Sequence, residues 1–247
     1  MPVAPSVSKA IAAVKGQIAN PSKTGRGGDQ IYFVIDELFR KEKIVADSET
    51  LGAVLALAEE VEGYRGKGSQ SATREFTNRA CGLVYAVKRR LPLLGEDEDR
   101  LPTEEEIEDR DVVRCLEQLG DYAFQRVQGP RVRSRHAASL RGSAWRCLAE
   151  VSEVLRRPAY LEFARKVSGD PKASEQERDG ALDFLGSYSR GEEPDEATIK
   201  LLDDLEESAK SRDFLVSVKQ AQIDLGIEDE FGAMMAVDYW EEEKDDD

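Results

Sequence analysis

The chain has 247 residues, with 50 acidic against 35 basic side chains and a formal net charge of −15. That length suits one large domain or two small ones with a core that needs no disulfide or metal staples, and the ordinary globular apolar share excludes collagen, disulfide-scaffold and mucin-like classes. No apolar run is long enough for a bilayer span and no basic start leads into an apolar segment, so the sequence predicts neither a membrane span nor a signal peptide, and a cytoplasmic location.

Apolar residues recur at spacings of three and four along most of the chain, and period-two alternation is nearly absent, which predicts an all-α protein. Val7, Ile11, Val14 and Ile18 mark a first helix, stopped by Asn20-Pro21. Asp29 can cap a second, with the stripe Ile31, Val34, Ile35, Leu38 and Phe39. Asp47 or Ser48 opens a third helix carrying Leu51, Val54, Leu55, Ala58 and Val61, ended by the glycines from Gly63 to Gly68. Phe76, Ala80, Leu83, Val84, Val87 and Leu91 form a fourth, closed by Pro92.

Residues 95–111 hold ten acids and two bases with Pro102, and read as an acidic linker between an N-terminal helical part, 1–94, and a helical-repeat part, 112–228. The pattern Thr103 to Glu106 is a capping box expected to start the next helix, whose stripe is Ile107, Val112, Leu116 and Leu119. Helices follow at 134–156, 158–167 with Pro158 in first position, 174–189 behind the box Ser174 to Glu177, 194–209 behind Pro194, and 211–225. A short amphipathic acidic tail, 229–247, closes the chain. The expected core includes Leu38, Leu55, Leu83, Leu116, Leu148, Leu182 and Leu215.

Self-comparison shows a period near 33 residues. Cys115-Leu116-Glu117-Gln118-Leu119-Gly120-Asp121-Tyr122 aligns with Ala181-Leu182-Asp183-Phe184-Leu185-Gly186-Ser187-Tyr188; Cys147-Leu148-Ala149-Glu150-Val151 lies between them and Phe214-Leu215-Val216-Ser217-Val218 follows. The period and the Leu-Gly before Tyr resemble tetratricopeptide repeats, while Arg141, Arg178 and Arg212 near helix starts resemble HEAT-like repeats, over about residues 74–225. That resemblance implies a right-handed stack of antiparallel helix pairs, a HEAT-like α-solenoid, with each interval holding one further helix; an irregular helical bundle is the alternative fold.

Cys81, Cys115 and Cys147 are widely spaced, sit in helical apolar patterns and join no CxxC, and His136 is the single histidine, so neither a zinc set nor a cofactor is expected. Ser22-Lys23-Thr24-Gly25-Arg26-Gly27-Gly28 has its lysine ahead of the glycines and a helix before them, and reads as a connector rather than a phosphate loop. Paired carboxylates occur on helical runs without a catalytic constellation, so the sequence predicts no enzyme.

Two segments carry chemistry. Residues 123–169 net seven positive charges between halves that net five and seventeen negative, and no acid occurs from Tyr122 to Ala149. Within it Arg126, Arg131, Arg133, Arg135, His136 and Arg141 are candidates to hold an anion or an acidic partner, three of the arginines leaving the Gly129-Pro130 loop toward a helix amino terminus. The plainer reading is an internal contact with the chain's own acids. The second segment is the tail, where Phe231, Met234, Met235, Tyr239 and Trp240 stand among acids and suit docking to an apolar groove with basic flanks, or a helix that caps the last repeat. The expected function is therefore a non-enzymatic protein–protein interaction module, an adaptor, scaffold or regulatory subunit. The alternative is a nucleic-acid or other polyanion-binding accessory protein acting through residues 126–146, disfavoured by the net negative charge, which also argues against a membrane partner.

Overall fold

The computed structural model describes residues 3–20, 27–66, 68–92, 101–129, 135–188 and 193–245, with side chains described except at 27–30, 42, 135–139 and 239–245. Among the described residues there are twelve α-helices, two short 3-10 turns and no strand, so the chain is all-α. It divides into two compact units, Met1–Cys147 and Leu148–Asp247.

The first unit holds α1 (Pro5–Ala19), α2 (Gly27–Phe39), α3 (Ser48–Leu55), α4 (Leu57–Gly63), α5 (Ser69–Lys88), α6 (Arg110–Gln128) and most of α7 (Arg135–Ser152). The long α5 is its centre, packing on α2, α4 and α6, while α3 lies on α6 and α1 lies on α2 and α4. Apolar side chains at helical spacing face inward: Val7 and Val14, Ile31, Ile35 and Leu38, Phe76, Ala80 and Val84, and Leu116 and Leu119 are all buried. Leu83 is the exception among the expected core leucines. It is half-buried, because Ala80, Cys81, Val84 and Val87 already occupy the inward face of α5.

Two boundaries depart from the sequence reading for local reasons. The apolar run from Leu51 to Val61 makes two helices, with a turn at Ala56, whose N–H reaches the carbonyls of Gly52 and Val54. The capping box is formed, the Glu106 carboxylate accepting from the Thr103 N–H at 2.9 Å and its hydroxyl at 3.0 Å, but it closes only the 3-10 turn Glu104–Glu106. The helix proper starts at Arg110, where Asp109 accepts from the Asp111 N–H at 3.0 Å and the apolar stripe of α6 takes over. Asp47 caps α3 as expected, accepting from the Thr50 N–H at 2.7 Å, whereas α2 begins at Gly27, so Asp29, expected to cap it, lies inside its first turn.

Side-chain bonds pin this unit together. Asp111 at the start of α6 accepts from the N–H of Ser48 at 3.1 Å and from its hydroxyl. Arg90, just past α5, donates to the Val45 carbonyl at 2.7 Å and pairs with Asp109 at 3.0 Å. In α7, Ser143 donates to Asn78 at 2.7 Å and the Cys147 thiol points at the Leu119 carbonyl, 3.9 Å away.

The second unit contains α8 (Pro158–Ser168), α9 (Glu175–Tyr188), α10 (Glu196–Glu207), α11 (Arg212–Asp224) and α12 (Glu230–Asp245). Helix α9 packs against α8 and α11, and α11 also carries α10 and α12. The α9/α11 approach is close enough that a Cβ added at Gly186 would lie 2.9 Å from the Asp224 Cβ. Each helix start has a recognisable cause: Pro158 fixes the first turn of α8, Ser174 and Glu177 form the box of α9 with bonds of 3.0 Å, Asp195 accepts from Thr198 N–H at 3.0 Å, and Ser211 from Phe214 N–H at 3.3 Å. Gly226, at φ 67°, ends α11: its N–H bonds the Ile223 carbonyl and that of Ile227 the Gln222 carbonyl, both at 2.9 Å.

The four aligned segments fall on α6, α7, α9 and α11. A separate helix stands in the last two intervals, α8 and α10. In the first interval the described residues hold none, since the matched segments are the middle of α6 and the end of α7, two consecutive helices.

Candidate functional site

Of the six candidate residues of the basic segment, Arg126 and Arg141 are described with their side chains, and both are engaged within the first unit. Arg126 projects from the last turn of α6 to pair with Glu62 at 2.8 Å, with its guanidinium 4.7 Å from the centre of the Tyr122 ring. Arg141, only 7% exposed, donates to the Gly129 carbonyl at 2.9 Å and so ties α7 to the end of α6. Arg135 and His136 lie in the first turn of α7, with side chains outside the described residues, and Arg131 and Arg133 lie outside the described residues altogether. The positive charge of Arg126 and Arg141 is thus directed inward, toward a carboxylate and a carbonyl, whereas Arg146 on α7 is exposed.

The tail segment forms α12, which extends through Tyr239 and Trp240, whose side chains are outside the described residues. Its small apolar residues, Ala233 and Val237, are buried where the helix packs on α11. Its large ones point away: Phe231 is 75% exposed, Met234 63% and Met235 37%. Burying a Phe or Met side chain fully is worth about 1.5–3 kcal/mol, so this orientation leaves a substantial hydrophobic gain unrealised. At spacings of three and four the three side chains share one helix face, with the exposed carboxylates Asp229 and Glu230 before them and Asp238 one turn beyond. The preceding turn is held in place by Lys219. It is buried, and its ammonium bridges Glu206 at 2.6 Å and Glu228 at 2.7 Å.

A third surface was not anticipated from sequence. On α2, Tyr32 and Phe33 are 39% and 64% exposed and stack edge to face at 6.1 Å, and Tyr85 on α5 is also exposed. The available signal was that both α2 aromatics fall off the stripe formed by Ile31, Ile35 and Leu38, which face the core.

Burial and hydrogen bonding perturb several titratable groups. Burial raises the Asp111 carboxyl, but the Ser48 hydroxyl and N–H and the Arg90 charge outweigh it and hold the group below its ordinary value. Burial, with Asp111 nearby, pushes the Cys115 thiol up to about 11. Burial likewise raises the Tyr122 phenol to about 12; its O–H lies 3.3 Å from the Thr77 hydroxyl. Asp179 is raised by burial and by Glu175 and Asp183 on the same helix, against a hydrogen bond from Ser217. Among the described residues no group of three His, Cys, Asp or Glu side chains is arranged to hold a metal ion, and no helix is long and apolar enough to cross a membrane. No family model, curated protein or solved structure matches the chain.

Proposed function

We propose that the protein is a non-enzymatic protein–protein interaction module, an adaptor, scaffold or regulatory subunit that acts through a helical surface. The observation that carries this reading is the face of α12 formed by Phe231, Met234 and Met235, exposed while Ala233 and Val237 on the same helix are buried. Large apolar side chains turned to solvent as a set mark contact surfaces, and Met suits them because its flexible thioether adapts to a partner's shape. A helical-repeat arrangement belongs to the same proposal, supported by the packing of α9 on α11 with α10 between them in sequence. So does a cytoplasmic location.

The polyanion reading through residues 126–146 has less support, since Arg126 and Arg141 already have partners inside the unit. The test is comparative affinity purification from the native cell with the wild-type chain and the double variant Phe231→Asp, Met234→Asp. A stoichiometric protein partner retained by the first and lost by the second is expected. Equal recovery with both, or nucleic acid as the sole companion, would refute the proposal.

A further inference from the structure

The acids around this face bear on what it would bind. The second unit carries 28 acids and 12 bases, a net of 16 negative, whereas the first carries 22 acids and 23 bases. From Glu228 to the terminus ten acids stand against one base, Lys244. Within the second unit, then, the exposed apolar strip lies where the charge is most one-sided. Glu228 is neutralised by Lys219, whereas Asp229, Glu230 and Asp238 are exposed on either side of the strip.

A surface of this kind discriminates by charge. An anionic lipid surface or a phosphate backbone is repelled before Phe231 or Met234 can make contact, and an acidic protein helix meets the same repulsion at close range. A helix with one apolar side and lysines or arginines flanking it meets neither obstacle. Its apolar side can cover the three exposed side chains, and its cations reach the carboxylates before and after the strip. Phe231 is a rigid aromatic anchor, and the two methionines adapt to whichever apolar side chains arrive.

We propose that α12 receives a cationic amphipathic helix from a partner protein, seated on Phe231, Met234 and Met235 and flanked by Asp229, Glu230 and Asp238. This rests on the interaction-module reading above and adds the chemistry of the partner.

The test uses the full chain and three fluorescein-labelled synthetic peptides of about 14 residues, roughly four helical turns: a Leu/Lys amphipath, the same peptide with every Leu replaced by Ser, and a Leu/Glu amphipath. Anisotropy is followed in about 0.15 M salt, where long-range charge is screened within roughly 8 Å. The Leu/Lys peptide is expected to bind at least about tenfold more tightly than the Ser/Lys peptide, a gap that reports apolar contact beyond charge. The variant Phe231→Asp, Met234→Asp should shrink that gap to within about twofold, with an unchanged far-ultraviolet spectrum because both positions are exposed. The methyl resonances of Met234 and Met235 should shift on binding.

Equal binding of the Leu/Lys and Ser/Lys peptides would overturn the proposal by showing attraction through charge alone. Binding unaffected by the double variant would place the contact elsewhere and overturn it too. Preference for the Leu/Glu peptide through the same residues would refute a cationic partner while leaving the interaction-module reading intact. Self-association of the chain that the variant abolishes would show that a second copy, rather than a partner's helix, covers the face.

Discussion

Lys219 shows how a single side chain can be both buried and charged. Burial alone would lower its pKa, but hydrogen bonds to Glu206 and Glu228 outweigh that and raise it above the ordinary lysine value. The folded value therefore exceeds the unfolded one of about 10.4, so the stabilisation is complete below that pH and lost as pH rises through the folded value. Lys219→Met would leave two carboxylates facing each other without their cation, and should lower stability at neutral pH by about 3 kcal/mol. Urea unfolding of both proteins should show that difference constant up to about pH 10 and shrinking above it; a difference independent of alkaline pH would mean packing, not charge, is lost. Sequence alone showed Lys219 only as one cation in an acidic region. Its two partners lie 13 residues before and nine after it, a pairing set by how α10, α11 and the turn before α12 fold together.

Helix starts were the most legible elements, because a cap is a local interaction between residues two or three apart. Asp47, Pro158, Ser174 and Ser211 all stand where the spacing placed them. The Thr103 box misled because the same four-residue bond pattern can close a 3-10 turn as readily as it starts a helix, and only the burial of the α6 stripe decides where the longer helix begins. Asp195 caps α10 and also receives the Arg165 guanidinium from α8, an ion pair that spacing could not reveal. Asp195→Ala should therefore cost about 1–2 kcal/mol, more than Ser211→Ala, whose neutral hydroxyl accepts a longer cap bond of 3.3 Å and donates to exposed Glu175 at 3.0 Å but holds no ion pair. Leu182→Ala, at a position with no exposed surface, should cost about 2–5 kcal/mol. Chemical denaturation distinguishes these values; a Leu182 effect near zero would remove it from the core.

For the whole molecule, the all-α class was readable because helical periodicity persists along the chain, whereas the division at residues 147 and 148 was not, since it falls inside α7, with no glycine, proline or charge run to mark it. The acidic stretch 95–111 was the more conspicuous break in composition, yet Asp109 and Asp111 in it are bound to Arg90 and Ser48 within the first unit. Which residues of the basic segment faced inward could not be read either, because Glu62, the partner of Arg126, is 64 residues away. The net charge of 16 negative on the second unit predicts a measurable response to salt. Like charges held close oppose the compact state, and raising salt from about 0.01 to 0.15 M shortens the screening length from roughly 30 to 8 Å. The melting temperature should rise over that range; a fall would show that attractive pairs dominate.

The opposite placement of the two kinds of sulfur has a chemical consequence. All three thiols are buried, and Cys115 has burial holding it in the protonated form, whereas the thioethers of Met234 and Met235 stand in solvent. Mild hydrogen peroxide should therefore transfer oxygen to those two sulfurs, releasing water and forming sulfoxides, before it reaches any cysteine. Peptide mass spectrometry should find the added oxygen on the α12 peptide while the folded protein's thiols stay unreactive toward a disulfide reagent. Each sulfoxide sets a polar S=O on the strip flanking Phe231, so oxidation would weaken its hold on an apolar partner, and methionine sulfoxide reductase would restore it.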